Sequence, residues 1–302
     1  MTGANGFIGS AVVKYLSGQG VEVLALCHNG HSDKVEGLPL VKIGFFELEN
    51  MQALRESVPK YEYDIFYHFA WKGSAGIARA DTKLQLDNVQ WTVEALEEAH
   101  ALGCKRFVGA GSIMEYEAIA EHQTQGHKPG LGTIYGGGKL AAHIMSQTVA
   151  AKLGMEFLWG EITNAYGAGE VSPRLVNTAL RKCIRGESPQ FTAGTQNYDF
   201  IYIDDVARAF YLIGEKGKPF HEYLIGSSKA RPLREFLLEM KTSVAPDLDF
   251  IFGDVPFTGV NLPLSCYDCD EIERDTGFRA EISFAEGAKQ TITWLKGLRE
   301  ED

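Results

Sequence analysis

A phenol and an amine stand four residues apart in Ile134-Tyr135-Gly136-Gly137-Gly138-Lys139-Leu140, a spacing that puts both on one face of a helix. A free tyrosine, with a pKa of about 10, is a poor base at neutral pH. A nearby ammonium favours the phenolate and brings proton transfer within range. Three consecutive glycines inside a helix cost about 1 kcal/mol each relative to alanine, which points to something bulky close to that backbone. Tyr-x-x-x-Lys alone also suits an ordinary surface pair. Upstream, the apolar run Phe107-Val108-Gly109-Ala110-Gly111 ends in Ser112. A hydroxyl at the carboxyl end of a parallel strand lies where ligands bind in such sheets, and it can hydrogen-bond a substrate carbonyl or alkoxide. A capping or turn serine is the plainer alternative.

A third constellation opens the chain. Gly3-Ala4-Asn5-Gly6-Phe7-Ile8-Gly9 spaces glycines three apart and runs straight into an amphipathic pattern. Gly3 permits a tight turn, Gly6 lets backbone N–H groups approach a pyrophosphate, and Gly9 lets the helix pack closely. The expected ligand is a dinucleotide. At the end of the following strand, Leu26-Cys27-His28-Asn29 offers neither an acid for a ribose 2′-hydroxyl nor an arginine for a 2′-phosphate. His28 suits a phosphate, so NAD and NADP both stay open.

The elements that must hold these groups follow from periodicity. Apolar runs at 21–27, 40–43, 64–69, 105–109 and 155–159 read as strands, and 8–17, 51–57, 81–102 and 135–153 read as helices. Leu86, Val89, Val93, Leu96 and Ala99 fall on one helix face. The alternation predicts an α/β fold with a doubly wound parallel sheet over residues 1–163. Beyond it, frequent prolines separate helices at 174–185, 233–241 and 284–296 in a smaller mixed α/β substrate-binding region, 164–302, with 199–213 a strand and helix that return toward the first sheet. The glycine turn arrives without the strand that normally feeds it. That strand would occupy the centre of the sheet, so the natural protein is expected to begin upstream.

Bulk properties exclude several classes. The net charge of −11 argues against nucleic-acid binding, and no apolar run reaches the length of a membrane span. The first residues lack the basic and apolar stretches of a secretory signal. Five scattered cysteines do not form a disulfide framework, which fits a reducing cytoplasm. Cys266-Tyr267-Asp268-Cys269 lacks two further ligands at zinc spacing, and no metal site is expected. His122 and His127 lie in a polar stretch expected to border a substrate cleft.

Together these motifs resemble the extended short-chain dehydrogenases/reductases, the NAD(P)-dependent nucleotide-sugar epimerase/dehydratase group with a Rossmann core, along essentially the whole chain. Ser112, Tyr135 and Lys139 match the catalytic set in order and spacing. His68-Phe69-Ala70 is similar to the segment beside the cofactor, and Asn88 matches a recurring asparagine in the next helix. Asn164-Ala165-Tyr166-Gly167 and the stretch from Asp199 to Val206 resemble the family's late motifs. Glu47, followed by Leu48, stands where a family acid meets the adenine. The resemblance implies that Tyr135 moves the proton of a sugar hydroxyl, Lys139 holds the nicotinamide ribose and tunes Tyr135, and Ser112 polarises the oxygen. It implies a C4 epimerase or 4-ketoreductase, and by analogy a homodimer. Where 4,6-dehydratases carry Asp-Glu this chain has Ile113-Met114, neither able to move a proton, so dehydration is not expected; Glu115 follows. Tyr198 replaces an arginine that helps hold the substrate diphosphate, leaving Arg174, Arg181, Arg185 and Arg231 as substitutes, while Trp71 and Tyr166 can flank a sugar or base. A non-catalytic dinucleotide sensor and a reductase of a non-nucleotide ketone remain the alternatives.

Overall fold

The computed structural model of the chain describes residues 1–28, 30–126 and 128–298. Asn29 and His127 therefore lie outside the described residues. The first half runs α1 (Phe7–Gly18), β1 (Val23–Cys27), β2 (Val41–Phe45), α2 (Leu54–Ser57), β3 (Ile65–His68), α3 (Thr82–Ala101), β4 (Arg106–Ser112), α4 (Met114–Gln123), α5 (Gly132–Leu153) and β5 (Glu156–Ile162). The second half runs β6 (Asn164–Tyr166), α6 (Leu175–Arg185), β7 (Gln190–Phe191), β8 (Asn197–Tyr198), β9 (Phe200–Tyr202), α7 (Ile203–Lys216), β10 (His221–Ile225), β11 (Arg231–Pro232), α8 (Leu233–Val244), β12 (Ile251–Phe252), α9 (Asp270–Thr276) and α10 (Phe284–Gly297). No helix among the described residues is long and apolar enough to cross a membrane.

β3, β4, β5 and β10 form one parallel ladder, and β1 pairs in parallel with β2. Thr2 joins the two groups by parallel bridges to Leu26 and to His68. The spatial order is thus β2-β1-Thr2-β3-β4-β5-β10, with the direction of winding reversing at Thr2. Its hydroxyl lies 2.8 Å from His68 Nδ1, and Thr92 of α3 lies 3.3 Å from the other ring nitrogen. Burial pushes the His68 ring down to about 3, so it sits neutral as a tie between the sheet centre and α3.

Helices cover both faces. α1 and α7 pack together on one side, while α3 and α5 pack together on the other. The predicted strands and helices of the first half are present, with shifted ends, and two differences have physical causes. Leu86 is 62% exposed, because the buried stripe of α3 runs through Gln85, Asn88, Val89, Thr92, Leu96 and Ala99. The polar members of that stripe are bonded: Gln85 accepts from Trp71 Nε1 at 2.8 Å and Thr92 donates to Asn88 O. The second difference concerns 199–213. β9 pairs with β6 in a small separate sheet, and the return to the main sheet is made by α7 and by β10, which lies beside β5. Asp205 at the start of α7 accepts the backbone N–H groups of Glu281 and Ile282, anchoring the entry to α10.

Candidate active site

The glycine turn lies at the carboxyl end of the sheet, beside the reversal point. A Cβ on Gly9 would sit 2.1 Å from the Gly3 carbonyl oxygen, so only glycine lets the turn fold onto its own helix. The N-cap of α1, Gly6, has no side chain to bond the first-turn N–H groups, and no acid stands in that turn. This open helix end faces a cavity of about 520 Å³. Gly3, Asn5, Gly6, Phe7, Ile8, Gly9, His28, Leu48, Phe69 and Ala70 all line it, as the sequence suggests. A dinucleotide fits these walls.

Four residues expected at the cofactor, Glu47, Asn88, Tyr135 and Lys139, are not on that wall. Glu47 Oε2 is 3.0 Å from Nε2 of His28, which does line the cavity. Asn88 is buried and clamps both sides of Lys72, accepting its N–H and donating to its carbonyl oxygen at 2.8 Å each. It fixes the loop after β3 rather than lining the cavity. His31, Lys34, Lys72 and Ser74 line the cavity without having been singled out. Lys34 is brought there because its backbone N–H donates to Asn5 Oδ1, while Asn5 Nδ2 donates to Asp33. Such a folded-back loop leaves no periodic trace.

A second cavity, about 580 Å³, is lined by Ser112, Tyr135, Met114, Asn164, Arg174 and Tyr198. It meets the first at Ser74 and Arg174, which line both. Ser112 closes β4, and Tyr135 rises from the first turn of α5 with its phenol beside the Ser112 side chain. The α5 glycines explain this approach: a Cβ on Gly136 would lie 2.2 Å from Met114 O, so α4 and α5 touch backbone to backbone. Burial raises the Tyr135 phenol above its ordinary value, and Arg79, Arg174 and the Ser112 side chain pull against it.

Lys139 is one turn on, buried, but its amine is engaged elsewhere. Nζ donates to Ala110 O at 2.7 Å and sits 3.8 Å from the centre of the Trp71 ring. Burial pushes this amine down to about 7. Trp71 in turn meets Tyr135 edge-on, with ring centres 6.0 Å apart. Expected at the substrate, Trp71 lines the dinucleotide cavity instead, because its Nε1 is tied to Gln85 of α3.

The arginine substitutes separate cleanly. Arg174, ion-paired with Glu170 at 3.2 Å, lines the cavities. Arg185 is paired with Glu187, Arg231 with Glu239, and Arg181 with Asn177, and none of these lines a cavity wall at Tyr135. Arg79, which the sequence reading passed over, does, and so does Glu117. Burial pushes the Glu117 carboxyl up to about 7, with Arg79 opposing. Asn164 Nδ2 donates to Asp199 O at 3.0 Å, which fixes the cavity floor. His122 is exposed and lines neither cavity.

Behind Ser112 lies a buried polar knot. Glu115 accepts the Ser112 N–H and the Trp159 Nε1–H at 3.0 Å each, and its other oxygen is 3.1 Å from His143 Nδ1. Glu161, 1% exposed, lies against it with one oxygen lacking a hydrogen-bond partner. Burial, then the Glu115 and Glu222 charges, push its carboxyl up to about 9. A raised carboxyl stabilises the fold below its unfolded value; the stability is lost as pH climbs from that value to about 9. Glu161→Gln is therefore expected to raise stability at pH 8 by on the order of 1–3 kcal/mol. The gain should shrink toward pH 5, a contrast that thermal melts at the two pH values will read.

The family model described as "NAD dependent epimerase/dehydratase family" matches residues 1–226. The chain belongs to the NAD-dependent epimerase/dehydratase family. A dTDP-glucose 4,6-dehydratase of Haemophilus influenzae is 22% identical to this family member, covering 97% of this chain and 96% of the relative. A UDP-glucuronate 4-epimerase of Thermodesulfobacterium geofontis is 25% identical, covering 98% and 95%. Among solved structures, the Bordetella bronchiseptica enzyme WbmF in complex with NADH superposes with a TM-score of 0.81 at 20% identity, covering 99% of this chain and 92% of that one. The UDP-glucose 4-epimerase of Thermotoga maritima, solved with UDP-glucose, gives 0.79 at 20% identity, covering 99% and 98%. The doubly wound fold with its dinucleotide cleft is thus that of the family.

Proposed function

We propose that this protein is an NAD-dependent enzyme acting at C4 of a nucleotide-activated sugar, as an epimerase or a 4-ketoreductase. The observation that carries the reading is the Ser112–Tyr135 hydroxyl pair on the wall of one cavity, adjoining the glycine-turn cavity at Ser74 and Arg174. Gly3, Gly6 and the first turn of α1 would hold the pyrophosphate, with His28, His31 and Lys34 near its far end. A bound nicotinamide supplies reversible hydride exchange with a sugar carbon. Tyr135 Oη accepts the proton of the sugar hydroxyl and returns it, and Ser112 Oγ hydrogen-bonds the same sugar oxygen. Arg174 is the cation placed to meet the diphosphate.

The test is incubation of the protein with NAD or NADP and, separately, UDP-glucose, UDP-glucuronate and dTDP-glucose, and with NADH and a nucleotide-linked 4-keto sugar. The expected product is a 4-epimer of one of them, or, for a 4-keto sugar, oxidation of added NADH. Cofactor and sugar binding with no product from any of the panel would leave the sensor reading standing.

One observation favours a second reading. Ile113 is buried in the core and Met114 is a thioether, but Glu117 lines the substrate cavity as a carboxyl poised near neutrality. Such a group can remove a proton beside a 4-ketone, the step a 4,6-dehydratase needs. A product lighter than its sugar by one water would select dehydration.

A further inference from the structure

We propose that Arg79 is a positioning residue for the proton carrier: its guanidinium, laid over the ring of Tyr135, is a fixed positive charge that favours the phenolate of this tyrosine. The inference rests on the reading of Tyr135 as that carrier and adds a residue to it.

Arg79 lies on the 3-10 helix Gly76–Ala80, at the end of the loop that follows β3. Its guanidinium carbon is 4.4 Å from the Tyr135 ring centre, and its Nε is buried with no hydrogen-bond partner. A guanidinium held over an aromatic face is attracted to that ring, the more so where its N–H groups are shielded from water. Lys139 has a different engagement: its Nζ is bonded to Ala110 O and faces the Trp71 indole.

The two cations also differ in permanence. A guanidinium keeps its charge at every pH a folded protein meets, whereas burial pushes the Lys139 amine down to about 7. The charged groups acting on Tyr135 are Arg79 from the 3-10 helix, Arg174 from the N-cap of α6 and Glu115 from the start of α4; Ser112 adds a hydroxyl, and Lys139, on the same helix as Tyr135, turns its amine to Ala110 O and Trp71. Glu117, across the same cavity, faces Arg79. Of these, Arg79 opposes the effect of burial on Tyr135 most. Trp71, between the lysine and the phenol, touches both.

The experiment is a pH titration of the full chain labelled with ¹³Cζ-tyrosine, the Tyr135 resonance being assigned by its loss in Tyr135→Phe. Arg79→Met should move that titration to higher pH, Arg79→Lys should bring it back toward the parent, and Lys139→Met should move it less than Arg79→Met does. Where a nucleotide-sugar turnover is found, Arg79→Met should lose about tenfold on the acid limb for each unit of displacement and recover as pH rises. An unmoved Tyr135 titration in Arg79→Met, a larger displacement in Lys139→Met, or a parent resonance that never titrates before unfolding overturns the proposal. Because the resonance needs no substrate, failure to find turnover counts against the proposed function and leaves this reading to its own result.

Discussion

Tyr135→Phe is expected to lower kcat on a nucleotide sugar by about 10²–10⁴-fold, the usual contribution of a positioned acid–base group. The ring stays, so the edge-on contact with Trp71 and the cation over its face are retained. Tyr135 lines the cavity beside Ser112 and not the glycine-turn cavity, so cofactor affinity should stay close to that of the parent. Steady-state kinetics beside a fluorescence titration with NADH separates the two quantities. A variant that kept full turnover would remove Tyr135 from the chemistry, and one that lost NADH as well would mean that the ring supports the other cavity.

The second large effect lies at the opposite end of the cleft. In Gly9→Ala the new methyl must displace the Gly3 carbonyl oxygen, 2.1 Å away, and the Gly3 carbonyl carbon, 2.9 Å away. Both are backbone atoms of the turn itself, so relief means reopening the turn that presents α1 to a phosphate. The expected loss is about 1–3 kcal/mol of stability and at least about tenfold in dinucleotide affinity. Gly137→Ala is the matched control, because a Cβ there meets nothing within 4 Å. On a helix interior with open space that change should stabilise by about 0.5–1 kcal/mol. Melting curves with and without NADH test the pair, and equal effects at the two positions would show that the close approach at Gly9 is not what holds the turn.

What could be read in the sequence was whatever a local pattern encodes. The glycine turn has a fixed spacing because the turn and the helix start are made of adjacent residues. Ser112 was legible as the end of an apolar strand, and Tyr135 with Lys139 as one helix face. Partners supplied by distant loops were not. Arg79 reaches the Tyr135 ring from an irregular stretch after β3, and Lys34 reaches the dinucleotide cavity because Asn5 pins its backbone. Nothing in the spacing of either residue announces its neighbour. Asn88 and Glu47 show the reverse case. Both were marked by position, yet one is consumed by the backbone of Lys72 and the other pairs with His28. α4 was missed for a related reason: its buried residues are Glu115, Ala118 and Glu121, and two carboxylates on an inward face give no apolar stripe. The inward acid makes sense only once Trp159, His143 and the Ser112 N–H are seen around it.

Ser74 and Arg174 stand at the junction where the two compartments share a wall. Any shape that one occupant imposes on those side chains is the shape the other must accept. Ligands that both reposition these side chains are thermodynamically linked, and by reciprocity one that tightens the dinucleotide by some factor is itself tightened by the same factor. Under the proposed function, positive coupling of this kind would keep the dinucleotide in place until the sugar is released.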